Sequence, residues 1–269
     1  MENGPEKNDG YCNGIDNCVN KAQILNDRYL LIREIGRGNF GSIWHAHDLE
    51  YPEHRNSVAI KIQSAHKNNA LLARNEINFL KLIKKRDPLH KENVLRLFGD
   101  FCFDCDRGSH FATVTEILGS DLCGVIEDFR TQNSRKKLHR KTVVPIHYIR
   151  RFARDILRGL DFLHNKCGVV HTDLKPTNIM VGKQHSGFNK RVKLIDFGNA
   201  VFAGSTDNKH FGTSVYRAPE SIMEKECGPK ADIWALGCIV FEMATGDLLF
   251  KANWDESIVY NEDDGFHCN

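Results

Sequence analysis

The chain has 269 residues, 41% hydrophobic and 27% charged, which is material for one large or two modest globular domains. A formal net charge of +2 leaves bulk electrostatics favouring neither nucleic acid nor a membrane surface. No apolar run approaches the ~18 residues of a membrane-spanning helix, and the polar opening MENGPEKNDGYCNG lacks the apolar core of a secretory leader.

Residues 1–26 are rich in Asn, Asp and Gly without a sustained period, and are expected to form a disordered tail with packing beginning near Tyr29. Next comes Gly36-x-Gly38-x-x-Gly41 between two strand-like runs. A dinucleotide-binding turn would need a helix directly after these glycines. The actual sequel, Ser42-Ile43-Trp44-His45-Ala46, is β-branched and aromatic, so a hairpin is expected, with its backbone N–H groups open to phosphate oxygens. Val58-Ala59-Ile60-Lys61 reads as a further strand, and a lysine ending such a strand is ordinarily a solvated charge. Leu71, Leu72, Ile77, Leu80 and Ile83 recur at helical spacing over 70–84, with Glu76 among them. The stretches 94–101 and 111–118 read as paired strands joined by a polar loop.

Nine cysteines, scattered and odd in number, do not suggest a disulfide framework, and reduced thiols are expected. Cys102 and Cys105 form a lone CxxC; zinc would need two more ligands and no second pair follows nearby, so no metal site is expected there. The basic run Arg130, Arg135, Lys136, Lys137, Arg140 and Lys141 is expected to be a solvated loop, with a patch for an acidic partner or nuclear import as the alternative. Ile149, Phe152, Ala153, Ile156, Leu160 and Leu163 then predict the clearest helix, opened by Pro145 and closed by Gly168.

That helix leads into HTDLKPTNIM, and a short hairpin leads on to VKLIDFG. Asp173 can accept a hydroxyl proton, and Lys175 can neutralise charge on a phosphoryl group in transfer. Asn178 and Asp196 offer the hard oxygens that Mg²⁺ prefers. A long loop runs from Asn199 to Tyr216-Arg217-Ala218-Pro219-Glu220, and the nearly all-apolar stretch Ala231–Thr245 reads as a buried helix.

Taken in order, GxGxxG, VAIK, a helical glutamate, HTDLKPTN, DFG and YRAPE followed by DIWALG resemble the motif set of protein kinases over residues 29–250. The resemblance implies an α+β, two-lobed fold. A small antiparallel lobe with one helix would span 29–115, a larger, mainly helical lobe 119–250, and an acidic tail 251–269. It implies ATP and Mg²⁺ as cofactors, with Asn178 and Asp196 on the metal. It further implies that Lys61 grips the nucleotide phosphates and pairs with Glu76, with Glu92, in a loop-like stretch after Pro88, as the alternative partner. Asp173 and Lys175 would be catalytic, and Asp232 would accept backbone N–H bonds from the catalytic loop. The nucleotide would be lined by Ile35, Gly36, Gly38, Gly41, Ile43, Ala59, Thr115 as gatekeeper, Glu116 and Leu118 through their backbones, and Met180.

Thr172 between His171 and Asp173, Asn199-Ala200 after the DFG, and Ala244–Phe250 together look most like the SR-protein kinases, with the CLK and DYRK dual-specificity kinases next. The expectation is therefore a monomeric Ser/Thr kinase of cytoplasm and nucleus that phosphorylates Arg/Ser-rich splicing-factor-like proteins, with no direct nucleic-acid or membrane contact. Two features depart from the pattern. Ser214 stands where this group usually carries arginine, and the chain stops at Asn269, where the last helices of the larger lobe are expected to follow. One rival reading is accordingly a truncated, weakly active or inactive kinase acting as a nucleotide- or protein-binding module. Another is a small-molecule kinase of related fold, against which the complete glycine loop and YRAPE anchor count.

Overall fold

The computed structural model describes residues 18–38, 41–52, 56–63, 67–105, 108–135, 142–182, 191–205, 212–223 and 228–251. It divides into two compact units, Met1–Arg74 with Phe98–Thr115, and Asn75–Leu97 with Glu116–Asn269.

The first unit is built on a six-stranded sheet in the order β1-β2-β3-β4-β6-β5. The strands are β1 (Ile24–Leu25), β2 (Tyr29–Gly38), β3 (Gly41–Asp48), β4 (Ser57–Gln63), β5 (Leu97–Cys105) and β6 (Gly108–Glu116). β3 alternates strictly between buried and half-buried positions, as expected of a strand with one face on a core. The buried set Val19, Leu25, Leu31, Trp44, Ala46, Val58, Ile60, Ile62, Ala112 and Val114 forms that core, and Tyr29 stacks on Phe101 at 5.6 Å. Among the described residues Cys18 and Val19 are already packed, ahead of the start at Tyr29 expected from sequence. A polar, aperiodic segment holds its place because Ala22 N–H donates to Leu31 O and Leu31 N–H to Gln23 O, so backbone pairing replaces apolar periodicity.

The second unit is mainly helical. It holds the C-terminal part of α1 (Lys67–Arg86), then α2 (Leu122–Arg135), α3 (Ile146–Asp161), the short α4 (Pro219–Ile222) and α5 (Pro229–Thr245). Two small sheets accompany the helices: β10 (Val192–Leu194), β9 (Ile179–Gly182) and β7 (Leu118–Asp121) in that order, and β11 (Val201–Phe202) beside β8 (Val169–Val170). Phe79, Leu80, Ile83, Ile156, Leu160, Leu163, Ile179, Leu194, Phe197 and Ile239 lie within one core. The strong period of residues 149–163 continues past α3 into one π-helical stretch, Phe162–Cys167, capped by Gly168 at φ +68°. The sequence reading missed α2, where only Leu122 and Ile126 are fully buried and polar residues fill the rest, so its period is faint. Arg130 and Arg135 of the basic run sit on this helix rather than on a loop, while 136–141 lie outside the described residues.

Gly159 shows how tightly α3 lies on the β10 strand. A Cβ there would approach Asn93 O to 2.8 Å and Leu194 Cδ1 to 3.0 Å, and Asn93 O is already engaged by Leu194 N–H at 3.0 Å. Gly→Ala inside a helix ordinarily gains up to about 1 kcal/mol. Gly159→Ala is instead expected to destabilise by about 1–3 kcal/mol through overpacking. A urea titration showing the variant at least as stable as the parent would refute that packing argument.

Candidate active site

The loop that carries Asp173 is held by one carboxylate. Asp232, 1% exposed in the first turn of α5, accepts His171 N–H (2.9 Å) and Thr172 N–H (2.9 Å), and its Oδ2 meets His164 Nε2 at 2.7 Å. The expectation for Asp232 is borne out. Thr172 needs the support: at φ +67° a β-branched residue is strained by roughly 1–3 kcal/mol. Its Oγ1 donates to Asn199 O at 2.7 Å, a further bond that holds the loop. His171, fully buried, packs against the Phe197 ring at 5.4 Å, and its Nε2 lies 2.9 Å from Ile195 O.

Asp173, fixed by that loop, is surrounded by donors. Its Oδ1 accepts the amide and the hydroxyl of Thr213, each at 3.0 Å. Its Oδ2 lies 3.1 Å from Lys175 Nζ and 3.3 Å from Asn178 Nδ2. Lys175 Nζ also donates to Thr213 Oγ1 at 3.0 Å, so Asp173, Lys175 and Thr213 form a closed triangle. Such an arrangement aims the carboxylate, with the Lys175 ammonium beside it.

The pair of residues expected to hold Mg²⁺ fits that role by its donor set. Asn178 Nδ2 is committed to Asp173 O (2.8 Å) and Oδ2, which leaves the amide oxygen as the face offered to a cation. Ile195 N–H donates to Asn178 O at 3.0 Å, tying this residue to the strand that delivers Asp196. Asp196 is half-buried at φ +63°, a left-handed turn that ends the strand directly before the buried Phe197. Asn75 Nδ2 donates to Gly198 O (3.0 Å) and Ala200 O (3.3 Å), fixing the segment that follows. Glu76, next in α1, is 2% exposed, and the second unit therefore carries a buried glutamate beside the residue that anchors the DFG turn.

Gly212 closes the far side of the loop. Its φ is +89°, and a Cβ would come within 2.5 Å of Thr172 O, so no side chain fits. Arg217, four residues past Thr213, donates through its guanidinium to Gly212 O. Ser214 is exposed, and Tyr216 Oη donates to Glu242 Oε2 at 2.7 Å. Burial pushes the Glu242 carboxyl up, opposed by that hydrogen bond and by Arg130. The middle of the long loop, 206–211, lies outside the described residues.

The first unit carries the remaining candidates. Gly36, Ile43 and Lys61 lie in one row across β2, β3 and β4. The three glycines differ in what the fold asks of them. At Gly41 a Cβ would strike Ile62 O at 2.0 Å, so that glycine is required by packing alone. Gly38 has open space around it and Gly36 only ordinary contact with Ile43 at 3.7 Å, so the fold leaves their backbones bare without needing to. Asn39 and Phe40 lie outside the described residues. Ile35 is 38% exposed, whereas Ala59 and Thr115 are buried.

Glu116 and Leu118 belong to the second unit. Glu116 Oε1 accepts from both Lys193 Nζ (2.5 Å) and Arg96 N–H (2.8 Å), and Glu116 N–H donates to Arg96 O (3.2 Å). Leu118 pairs with Gly182 across β7 and β9, and Met180 with Asp121. Sequence reasoning missed Asn75 and Asp155. Asp155 is buried on α3 and accepts Val192 N–H at 3.3 Å. Both read as ordinary polar residues of a helix, and the backbone groups they hold are 37 to 125 residues away.

A protein kinase domain model matches residues 29–268 of the chain. Among curated relatives, the serine/threonine-protein kinase SRPK of Physarum polycephalum is 28% identical over 91% of this chain and 67% of its own length. Human dual specificity tyrosine-phosphorylation-regulated kinase 3 is 33% identical over 83% of this chain and 34% of its own. Mouse dual specificity protein kinase CLK2 is 30% identical over 85% and 45%. The chain thus spans between about a third and two-thirds of the length of these relatives.

Proposed function

The chain belongs to the protein kinase family, and from that premise we propose that it transfers the γ-phosphoryl group of ATP to Ser/Thr hydroxyls of proteins, with Arg/Ser-rich segments as preferred acceptors. The observation that carries the reading is Asp173 held by four donors, one of them Lys175. The acceptor hydroxyl would give its proton to Asp173 as its oxygen bonds to phosphorus, and ADP would leave with the electrons of the broken P–O bond. Lys175 would offset charge on the moving phosphoryl group, and Lys61 would hold the phosphates that stay behind. Mg²⁺, when bound at Asn178 and Asp196, would supply charge neutralisation at those phosphates. The rest of the work is positioning, for which Thr213, Asp232 and Asn75 are the supports.

Support for Arg/Ser-rich acceptors comes from the sequence features around Thr172, Asn199 and Asp247 that resemble SR-protein kinases. Cytoplasm and nucleus follow from the same resemblance; Cys102, Cys167 and Cys238 stand outside any disulfide, whereas Cys18 and Cys105, expected to be reduced, are paired in one. A binding module without turnover is the competing reading. It is favoured by the exposed apolar side chains Ile233, Trp234 and Phe241 on α5.

The test is phosphotransfer to peptide panels, with Lys61→Met as the control for contaminating activity. Arg/Ser peptides are expected to be the best acceptors, and Lys61→Met is expected to abolish transfer while leaving the fold intact. A panel led by Ser-Pro peptides would overturn the acceptor assignment. Tight nucleotide binding with no transfer to any peptide would favour the binding module.

A further inference from the structure

The first unit contains a cluster that the catalytic reading does not use. Cys18 and Cys105, 87 residues apart in sequence and paired as a disulfide with Cα atoms 5.9 Å apart, both abut His110. His110 Nε2 lies 3.4 Å from Cys18 Sγ and 3.2 Å from Cys105 Sγ. The three ligand atoms lie within 4.8 Å of one another.

The orientation of the imidazole decides what the cluster is for. Its Nδ1 faces Gln63 O at 3.2 Å, and a carbonyl only accepts, so Nδ1 carries the proton. Nε2 of the neutral ring then presents its lone pair to two sulfurs. A disulfide has no hydrogen to give and would leave a buried acceptor facing other lone pairs, with His110 1% exposed. Two thiolates and a metal ion satisfy all three atoms together, and the backbone carbonyl on Nδ1 is the usual orienting partner of a metal-bound histidine. The S···N separations, 3.4 and 3.2 Å, lie just inside the about 3.6 Å edge of a tetrahedron built from zinc–sulfur and zinc–nitrogen bonds, and the paired sulfurs would have to part to take two of its corners.

We propose that Cys18, Cys105 and His110 bind a zinc ion as a structural clasp. Binding to the reduced pair exchanges two thiol protons for Zn²⁺; starting from the disulfide, a cellular thiol must first supply two electrons to open the S–S bond, leaving as its own disulfide. The described residues leave the fourth tetrahedral position open. Phe103 stacks on the His110 ring at 5.4 Å and fixes its plane. The location gives the clasp a purpose. β1 and β5 are the two edges of the six-stranded sheet; Cys18 precedes β1 and Cys105 ends β5. One ion would therefore tie the segment entering one edge to the opposite edge and close the sheet's core, and closing so long a loop constrains the unfolded chain strongly.

The decisive measurement is metal content of the 269-residue chain, purified anaerobically without added metal or reductant, alongside Cys18→Ser and Cys105→Ser. About one zinc per chain is expected in the parent and nearly none in either variant. Cobalt substitution should give sulfur-to-metal charge-transfer absorption that both variants lose. Chelation should lower Tm and expose both thiols to alkylation. Because the parent alone gives metal content and thiol state, the test survives variants that fail to fold. A metal-free parent overturns the proposal, whether peptide mapping finds a Cys18–Cys105 disulfide or two free thiols. So does cobalt absorption that persists in both variants.

Discussion

Asp173→Asn is expected to lower kcat by about 10²–10⁴-fold, the range carried by a positioned general base, with little change in nucleotide affinity. The substitution is nearly isosteric, yet it inverts the local chemistry. In the parent, one carboxylate oxygen accepts from Thr213 twice, and the other faces Lys175 Nζ and Asn178 Nδ2. An amide can keep only one of these sides: its NH₂ must face either Thr213 or the Lys175–Asn178 pair, donor against donor. The variant therefore loses the proton acceptor and part of the hold on the loop. Steady-state kinetics with a separate nucleotide-binding measurement distinguish the two losses. Unchanged kcat would remove Asp173 from the base role, and a loss confined to nucleotide affinity would reassign it to the metal.

The largest expected effect on stability is at Asp232. Asp232→Ala should destabilise by about 3–5 kcal/mol, since it strips charge-assisted bonds from two backbone amides and from His164, and leaves His171 N–H without its acceptor inside the core. The Thr172 backbone would lose what offsets its left-handed conformation, so the loop should relax and activity should fall with stability. Asp232→Asn keeps one accepting oxygen and should fall between. Against the 5–15 kcal/mol typical of a folded domain, the alanine variant is expected to unfold at markedly lower urea. A midpoint within error of the parent would show that the loop is held by its own local bonds.

The motifs that carried the family assignment were legible because each is a contiguous demand on the backbone. Gly36-x-Gly38-x-x-Gly41 followed by β-branched residues is a hairpin on local grounds, and the structure pairs Gly38 with Gly41 at its end. The repeat from Ile149 to Leu163 needs only helical geometry to bury one face, and it does so. Gly168 marks the stop because no other residue turns left-handed without strain.

Other elements were faint in sequence for physical reasons. α2 buries too few side chains to show a period, and the segment from Cys18 to Gln23 is held by backbone pairing with β2, which leaves no trace in hydropathy.

By itself the sequence determined which residues could do the chemistry, because Asp173, Lys175 and Asn178 lie within a few positions of one another on one loop. Tertiary structure alone decided what aims them. Asp232, Asn75 and Asp155 were ordinary polar residues of helices until helix packing set each against backbone groups far along the chain. The same holds for Cys18, Cys105 and His110. Cys105 looked like half of an incomplete CxxC with Cys102, but strand alternation turned Cys102 outward and sheet closure brought Cys18 in its place. Spacing along the chain reports local geometry, whereas the partner of a buried polar group is chosen by register and crossing, which exist only once the whole core has formed.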